Sequence, residues 1–580
     1  MKKIIALTVL VAVLGAAGAY FLFFRPCSQA PPGTPSKLLP ADTLLMVELL
    51  HLEKRINAFK NSLLAQKLQE INLVRLAEEF GAPRVVIDEF TDLKASVLSS
   101  LDSPLFRELF GRETVLAMIP IVSDQAEPEA PEQIYNNLLL FSRPQHSVDL
   151  VEFFAQFLTE TPQSLTETYG SFEIKSFHLE EGIVVYYTFT DELMVASLSC
   201  STLRSCLDLK TRSSGRLADN ESYRTLRNSL ERTERTTFIY GNIKALSNPL
   251  LRLAASKADH ISSVPDFKKS LSHLKGWNDF GCSTYDDGTN LLQSTIFLTF
   301  DKTAMTPASA KALRFPPEKN KTLRMIPDST QLYYWANTFD PAALWETYTQ
   351  SPSGNNVYLN WLEDFIESRL GISLDTMFQA FDSQVAFLVA DIDTDGFFPI
   401  PKLTLLFEQA DNETLPDIIK SLIDASGITP HREVYRGTDI TFIPLPLLQH
   451  VQPSSAFFNG FWVLSVNPDG VKAVIDTYDS QKGLAANHHF SRMDCGLTAN
   501  NNIITFVEIN QLIDNTKNII TWANKRIPPN DRETAHKNAI IISELITPLL
   551  DGLRMYQAIG TRTVIGEDEI RSDIYCKIER

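Results

Sequence analysis

The sequence predicts an α+β fold: two tandem related domains with antiparallel sheets and packed helices, after one N-terminal transmembrane helix. Three observations carry this. An uncharged run, residues 4–24, follows Lys2 and Lys3. The stretch Leu39-Pro40-Ala41-Asp42-Thr43, a proline-marked turn feeding an apolar strand, returns as Ile326-Pro327-Asp328-Ser329-Thr330. After each copy, strand-like and helix-like segments recur in one order at a spacing of roughly 270 residues, so each repeat is domain-sized rather than a solenoid unit. Mixed periodicities with hairpin-like neighbours indicate antiparallel pairing.

As a helix, the run from Ile4 to Phe24 spans roughly 30 Å, the thickness of a bilayer core. Two lysines precede it and Arg25 follows, which places the N-terminus in the cytoplasm and the rest of the chain outside. Ala17-Gly18-Ala19 offers a rival reading as a cleavage site. Tyr20, Leu22, Phe23 and Phe24 continue the apolar run past it, which favours an uncleaved signal anchor over residues 1–24. Arg25-Pro26 before Cys27 is the wrong context for lipid attachment, so Cys27 reads as a juxtamembrane thiol. Residues 25–38, rich in proline and polar groups, read as a stalk.

Copy 1 is read over residues 39–300, a connector over 301–324, and copy 2 over 325–580. Pro307, Pro316 and Pro317 mark the connector, while Ala310, Leu313 and Phe315 make it too apolar for a free linker. Within copy 1 a strand is expected at 43–49 and a helix at 51–67, with Leu52, Ile56, Phe59, Leu63 and Leu64 on one stripe. More helix is expected at 73–79 and 85–99, and in copy 2 between 341 and 380. Each copy then reaches a strand through a Phe-led turn, Phe110 to Met118 and Phe381 to Val389. The next strands are 138–141 and 404–407. Helices follow, with Leu150, Phe153, Phe154, Phe157 and Leu158 matched by Leu415, Ile418, Ile419, Leu422 and Ile423. Strands at 182–187 and 193–198 come next, the latter matching 461–466. Ser199 and Asn467 are candidate helix caps. Leu203, Cys206 and Leu207 match Val471, Val474 and Ile475. The segments 217–220 and 484–487 match, as do 237–240 and 505–508, and each copy closes on a hairpin whose second strand is 291–300 or 569–578.

The formal charge is −17 with no concentrated basic tract, which argues against nucleic acid as a partner. Six cysteines are too few for a disulfide scaffold in a chain of this size. On one helix, Cys200 and Cys206 would stand roughly 9 Å apart along the axis, too far to bond.

The N-terminal run, the Leu39-Pro40-Ala41-Asp42-Thr43 entry, Leu217-Ala218-Asp219-Asn220 before Tyr223, and the stretch from Ala310-Lys311-Ala312-Leu313 to Pro316-Pro317 together resemble a family of uncharacterised bacterial membrane-anchored envelope proteins, a domain of unknown function. The resemblance covers most of the chain through loose motifs. It implies a secreted or periplasmic domain on a single membrane span, and brings no activity and no functional residues.

Of the candidate chemistries, Asp391-Ile392-Asp393-Thr394-Asp395-Gly396 is the sharpest. Alternate carboxylates ahead of a glycine reproduce the start of a calcium loop, with Asp391, Asp393 and Asp395 as ligands. Lys402 stands where the bidentate glutamate belongs, and the flanking helix pair is missing. The competing reading is an acidic turn between two strands, like the acidic stretch 124–132 of copy 1. His488-His489, taken as neighbours in a strand, would face opposite ways and not chelate one ion. Cys206 and Cys576 read as buried apolar residues. No nucleophile elbow, Ser-x-x-Lys or phosphate loop is present, so no catalytic or cofactor-binding residue is assigned. The 35 phenylalanines read as core, or as the lining of an acyl tunnel.

The expected function is a non-catalytic binding or scaffold protein of the bacterial envelope. It would be anchored in the inner membrane and face the periplasm, with an envelope protein or an apolar, lipid-like molecule as ligand. The alternative is an envelope hydrolase with one working copy, which requires a polar cleft in one unit only.

Overall fold

The computed structural model describes residues 35–120, 135–144, 165–178, 183–190, 192–212, 214–233, 235–246, 274–286, 288–349, 364, 366–445, 451–526 and 532–579. The anchor, Cys27, the acidic stretch 124–132 and the helix expected around Leu150 to Leu158 lie outside them. The fold is mixed α+β with antiparallel sheet. The chain divides into two compact units, residues 1–306 with 568–571 and residues 307–567 with 572–580.

Unit 1 contains β1 (Leu45–Leu50), β2 (Glu113–Met118), β3 (Leu138–Arg143), β4 (Leu165–Tyr169), β5 (Phe172–His178), β6 (Val184–Thr190), β7 (Leu193–Ser197), β8 (Arg235–Asn242), β9 (Trp277–Asp286) and β10 (Leu291–Phe300). They pair in the order β4-β5-β6-β7-β3-β2-β1-β8-β9-β10, antiparallel throughout. Unit 2 opens with the short strand β11 (Glu318–Lys319). It continues with β12 (Leu332–Ala336), β13 (Phe381–Asp393), β14 (Ile400–Gln409), β15 (His431–Tyr435), β16 (Thr438–Phe442), β17 (Ser454–Phe458), β18 (Phe461–Ser465), β19 (Asn500–Asn501), β20 (Ile503–Glu508), β21 (Tyr556–Ile565) and, from residue 572 on, β22 (Glu569–Ile578). Its main sheet runs β15-β16-β17-β18-β14-β13-β12-β20-β21. These nine strands repeat the order β4-β5-β6-β7-β3-β2-β1-β8-β9 of unit 1.

The entry stretch is bonded alike in both units. Leu217 N donates to Leu39 O at 2.7 Å, and Leu484 N to Ile326 O at 2.8 Å. Pro40 bridges Arg216, and Pro327 bridges Gly483. Asn220 Nδ2 donates to Ala41 O at 3.0 Å, and Asn487 Nδ2 to Asp328 O at 2.8 Å. The other side-chain atom of each asparagine caps the next helix, Asn220 accepting from Tyr223 N and Asn487 from His489 N and Phe490 N. A side-chain acceptor at that position satisfies amides that the first turn leaves unpaired. Residues that follow those helices, Glu221–Ser229 and His488–Arg492, approach the sheet at a glycine. A Cβ on Gly281 would stand 2.9 Å from Leu230, and one on Gly560 3.2 Å from Leu497.

Several expectations change. The helix expected at 51–67 is two, Leu52–Lys60 and Leu63–Glu70, because Ser62 caps the second by accepting from Ala65 N. Residues 35–38 are not stalk: Pro35–Lys37 is a 3₁₀ turn, and Leu38 lies in the core at 3 % exposure. The later half of the connector belongs to unit 2. Asn502 Nδ2 and Asn337 Nδ2 donate to Phe315 O and Pro316 O, and β11 pairs with β19.

Two matches shift register. Leu139 faces Ser197 where Thr404 faces Ser465, so 138–141 corresponds to 403–406, one residue earlier than expected. Met46 faces Tyr240 where Tyr333 faces Phe506, so Tyr240 corresponds to Phe506 and not to Glu508. Runs of similar apolar residues fit a sheet in more than one register, and the pairing across the sheet decides.

Asn220→Ala and Asn487→Ala each remove a cap and a tie to the entry stretch. Each is expected to destabilise its own unit by about 1–2 kcal/mol. Hydrogen exchange at helix 221–229 or 488–492 measures this, and the effect should stay within the mutated unit.

Candidate functional site

The core face of unit 1 holds a set of buried charges. Glu48 on β1 accepts from both Arg227, on the helix Glu221–Ser229, and Arg235 on β8; the Arg235 Nη2 bond is 3.0 Å. Glu113 on β2 pairs with Arg143 on β3 at 2.9 Å. Arg55, fully buried, donates to Thr236 O at 3.2 Å and Thr237 Oγ1 at 2.8 Å. Burial pushes the Glu48 carboxyl up, but Arg227 and Arg235 outweigh it and hold the group below the usual carboxylate range. Burial raises Glu113, and the neighbouring Glu48 charge adds to that. The guanidinium of Arg227 also lies 4.5 Å above the Phe238 ring, a cation–π contact that offsets part of its desolvation.

At the other end of the same helix, Asp279 accepts from Ser222 Oγ at 2.5 Å and from Tyr240 OH at 2.8 Å. The Ser222 hydroxyl is thereby held by the Asp279 carboxylate, which Tyr240 holds in turn.

Unit 2 replaces these groups. Trp335 stands at the position of Glu48 and donates to Gln384, the counterpart of Glu113, at 3.0 Å. Glu408 stands for Arg143 and binds Lys321 Nζ at 2.5 Å. Ala558 stands for Asp279.

What the units share is on the surface. In unit 1, Tyr169 OH on the outermost strand β4 donates to Asp208 at 3.0 Å, and Glu167 on the same strand pairs with Arg204. Arg204 lies 5.3 Å over the Tyr169 ring. In unit 2, Tyr435 OH on β15 donates to Asp476 at 3.0 Å, and Glu433 pairs with Lys472 at 2.9 Å. Lys472 lies 5.4 Å over the Tyr435 ring. The carboxylate and the cation come from the helices Cys200–Thr211 and Pro468–Ser480, capped by Ser199 and Asn467 as expected. The pair to Asp208 raises the Tyr169 phenol above its usual value.

This constellation was not identified from the sequence. The signal present was Glu-x-Tyr on a strand (Glu167, Tyr169; Glu433, Tyr435) combined with cation-x-x-x-Asp on a helix (Arg204, Asp208; Lys472, Asp476).

The expected site residues are placed as follows. Asp391 and Asp393 end β13, and Asp395 is in the turn beyond. Lys402 Nζ holds Asp391 at 2.9 Å, and Asp393 Oδ1 accepts from Asp395 N at 2.9 Å. Burial raises the Asp391 carboxyl, and the bond from Lys402 more than offsets it, so it lies below the usual range. Among the described residues no group of three or more His, Cys, Asp or Glu side chains is arranged to hold a metal ion. His488 and His489 start a helix, not a strand, because Asn487 caps them; their rings are 5.4 Å apart and perpendicular. Cys206 and Cys576 are buried, and desolvation pushes the Cys576 thiol up to about 12.

A cleft of about 260 Å³ in unit 2 is lined by Arg314, Phe315, Phe339, Asp340, Phe378 and Asp382, among others. It is smaller than most ligand pockets, and Arg314 already binds Asp340 at 2.7 Å. Among the described residues no helix is long and apolar enough to cross a membrane. Compared with family models, curated proteins and solved structures, the chain matches none.

Glu48→Gln leaves Arg227 and Arg235 facing a neutral amide in the core, and is expected to cost unit 1 about 3–5 kcal/mol at neutral pH. The folded-state value of Glu48 is depressed. Its contribution is therefore full above the ordinary glutamate range and lost as pH falls through the folded value. The deficit of the variant should shrink over that acid window, as read by hydrogen exchange in helix 221–229 against pH.

Proposed function

We propose that the chain is a non-catalytic binding or scaffold protein of the bacterial envelope. Residues 4–24 hold it in the inner membrane, and two units derived from one module face the periplasm. The observation that carries this reading is the surface constellation of Glu, cation, Tyr and Asp built in both units. Exposed ion pairs add little to stability, so packing alone gives weak reason for both units to carry the same four kinds of group while their buried charged groups differ. A surface shared by two units engages a repeated or symmetric partner with the gain in avidity that linkage supplies. The bilayer-length run and the resemblance to membrane-anchored envelope proteins support the location. The ligand is an envelope component, protein or lipid.

Thr166 on β4 and Arg432 on β15 are exposed beside the two constellations. A photo-crosslinkable residue placed at either position in cells is expected to yield an adduct of the same mass. That adduct should weaken when Tyr169→Phe/Asp208→Asn and Tyr435→Phe/Asp476→Asn are combined. Different adducts from the two positions, or none from either, would defeat the reading.

A further inference from the structure

The β13–β14 hairpin of unit 2 ends in an exposed aromatic pair. Pairing between the strands stops at Asp393 and Ile400. Beyond it, Phe397 is 69 % and Phe398 54 % exposed, and their rings meet edge to face at 4.7 Å. Pro399 follows them, and Pro401 faces Ile392 at the first rung, so this end of the hairpin has fewer backbone donors. The tip is tied back: Trp522 Nε1 on the helix Ile509–Arg526 donates to Gly396 O at 3.3 Å. Lys525 and Arg526, three and four residues on and therefore on the Trp522 face of that helix, are exposed.

Two adjacent phenylalanines on a braced turn cannot turn inward, and their contact with water is unfavourable by the area they leave uncovered. Aromatic rings at a tip, with a tryptophan behind them and basic side chains beside it, form the arrangement that seats a protein in the interfacial layer of a bilayer. Asp393 and Asp395 carry two negative charges against the two positive charges of Lys525 and Arg526. The site therefore has no net attraction for an anionic surface and suits a zwitterionic one. We propose that Phe397 and Phe398 insert into the interface of a zwitterionic lipid bilayer as a second contact. This rests on the reading that residues 4–24 bring the chain to a membrane.

The test uses the full chain with dioleoylphosphatidylcholine vesicles, reading flotation and the quenching of tryptophan emission by brominated acyl chains. The expected result is flotation of wild type, Trp522→Phe and Phe397→Ser/Phe398→Ser alike, with quenching in the wild type lost in both variants. Flotation without quenching, or quenching that persists in Phe397→Ser/Phe398→Ser, overturns the insertion and leaves the anchor standing. Flotation lost only in Phe397→Ser/Phe398→Ser keeps the insertion and removes the anchor. Neither flotation nor quenching in the wild type removes both.

Discussion

The tie between the entry stretch and the asparagine-capped turn is the constraint on which each unit depends. One side chain, Asn220 or Asn487, donates to a carbonyl of the entry and accepts the first amides of a helix. It therefore couples two decisions that are remote in the chain: where the central strand β1 or β12 begins, and where the helix over β8–β9 or β20–β21 begins. A slip of one residue in either would turn every side chain of the strand to the wrong face. The glycines at 281 and 560 add to the constraint, since Leu230 and Leu497, which follow the two helices, lie within 3.2 Å of where a Cβ at those sheet positions would stand.

With that frame fixed, the space beneath the helix tolerates different chemistry. Unit 1 fills it with Glu48, Arg227, Arg235 and Asp279, and unit 2 with Trp335, Gln384 and Ala558. A buried ion pair is poor evidence for stability, because replacing it by packed apolar groups is often neutral or favourable. The two solutions are physical alternatives for one volume. Arg235 keeps two guanidinium nitrogens, and Arg143 one, without a hydrogen-bond partner among the described residues, so the ionic solution leaves part of its desolvation uncompensated. A role common to both units cannot depend on groups that only one of them has. The polar contacts that do repeat are on the surface, where Tyr169 and Tyr435 each donate to an aspartate.

Local signals made much of the fold legible. Ser199 and Asn467 announced helices by residue type, and the buried triples Leu203, Cys206, Leu207 and Val471, Val474, Ile475 follow at one spacing. Registers were less legible: Leu138 to Phe141 resembles Thr404 to Phe407 more closely than it does Leu403 to Leu406, its counterpart by pairing across the sheet. The surface constellation was illegible for a different reason. Glu167 and Tyr169 meet Arg204 and Asp208 only because the β4–β6 meander returns over the helix, and exposed polar residues leave no hydrophobic period to read. The histidine pair follows Asn487, whose residue type suits a helix cap, and it starts a helix rather than the expected strand.

Strand direction gives each unit two unlike ends. The entry stretch reaches β1 at Leu45, while the helices between Leu52 and Phe110 leave from its far end after Leu50, about 20 Å away at the rise of a strand. Unit 2 repeats this: β12 is entered at Leu332 and left at Ala336, beyond which the cleft around Phe339 and Asp340 opens. Because Leu332 faces Val389 and Ala336 faces Val385, β13 runs back towards the entry end, and its hairpin carries Phe397 and Phe398 past that end. In unit 1 the entry end is also where residues 35–44 lead back towards the N-terminal run. The aromatic tip of unit 2 therefore stands at the end equivalent to the one at which residues 35–44 enter unit 1. The helical insertions, with their exposed Phe80, Val85 and Phe90 in unit 1, stand at the opposite one.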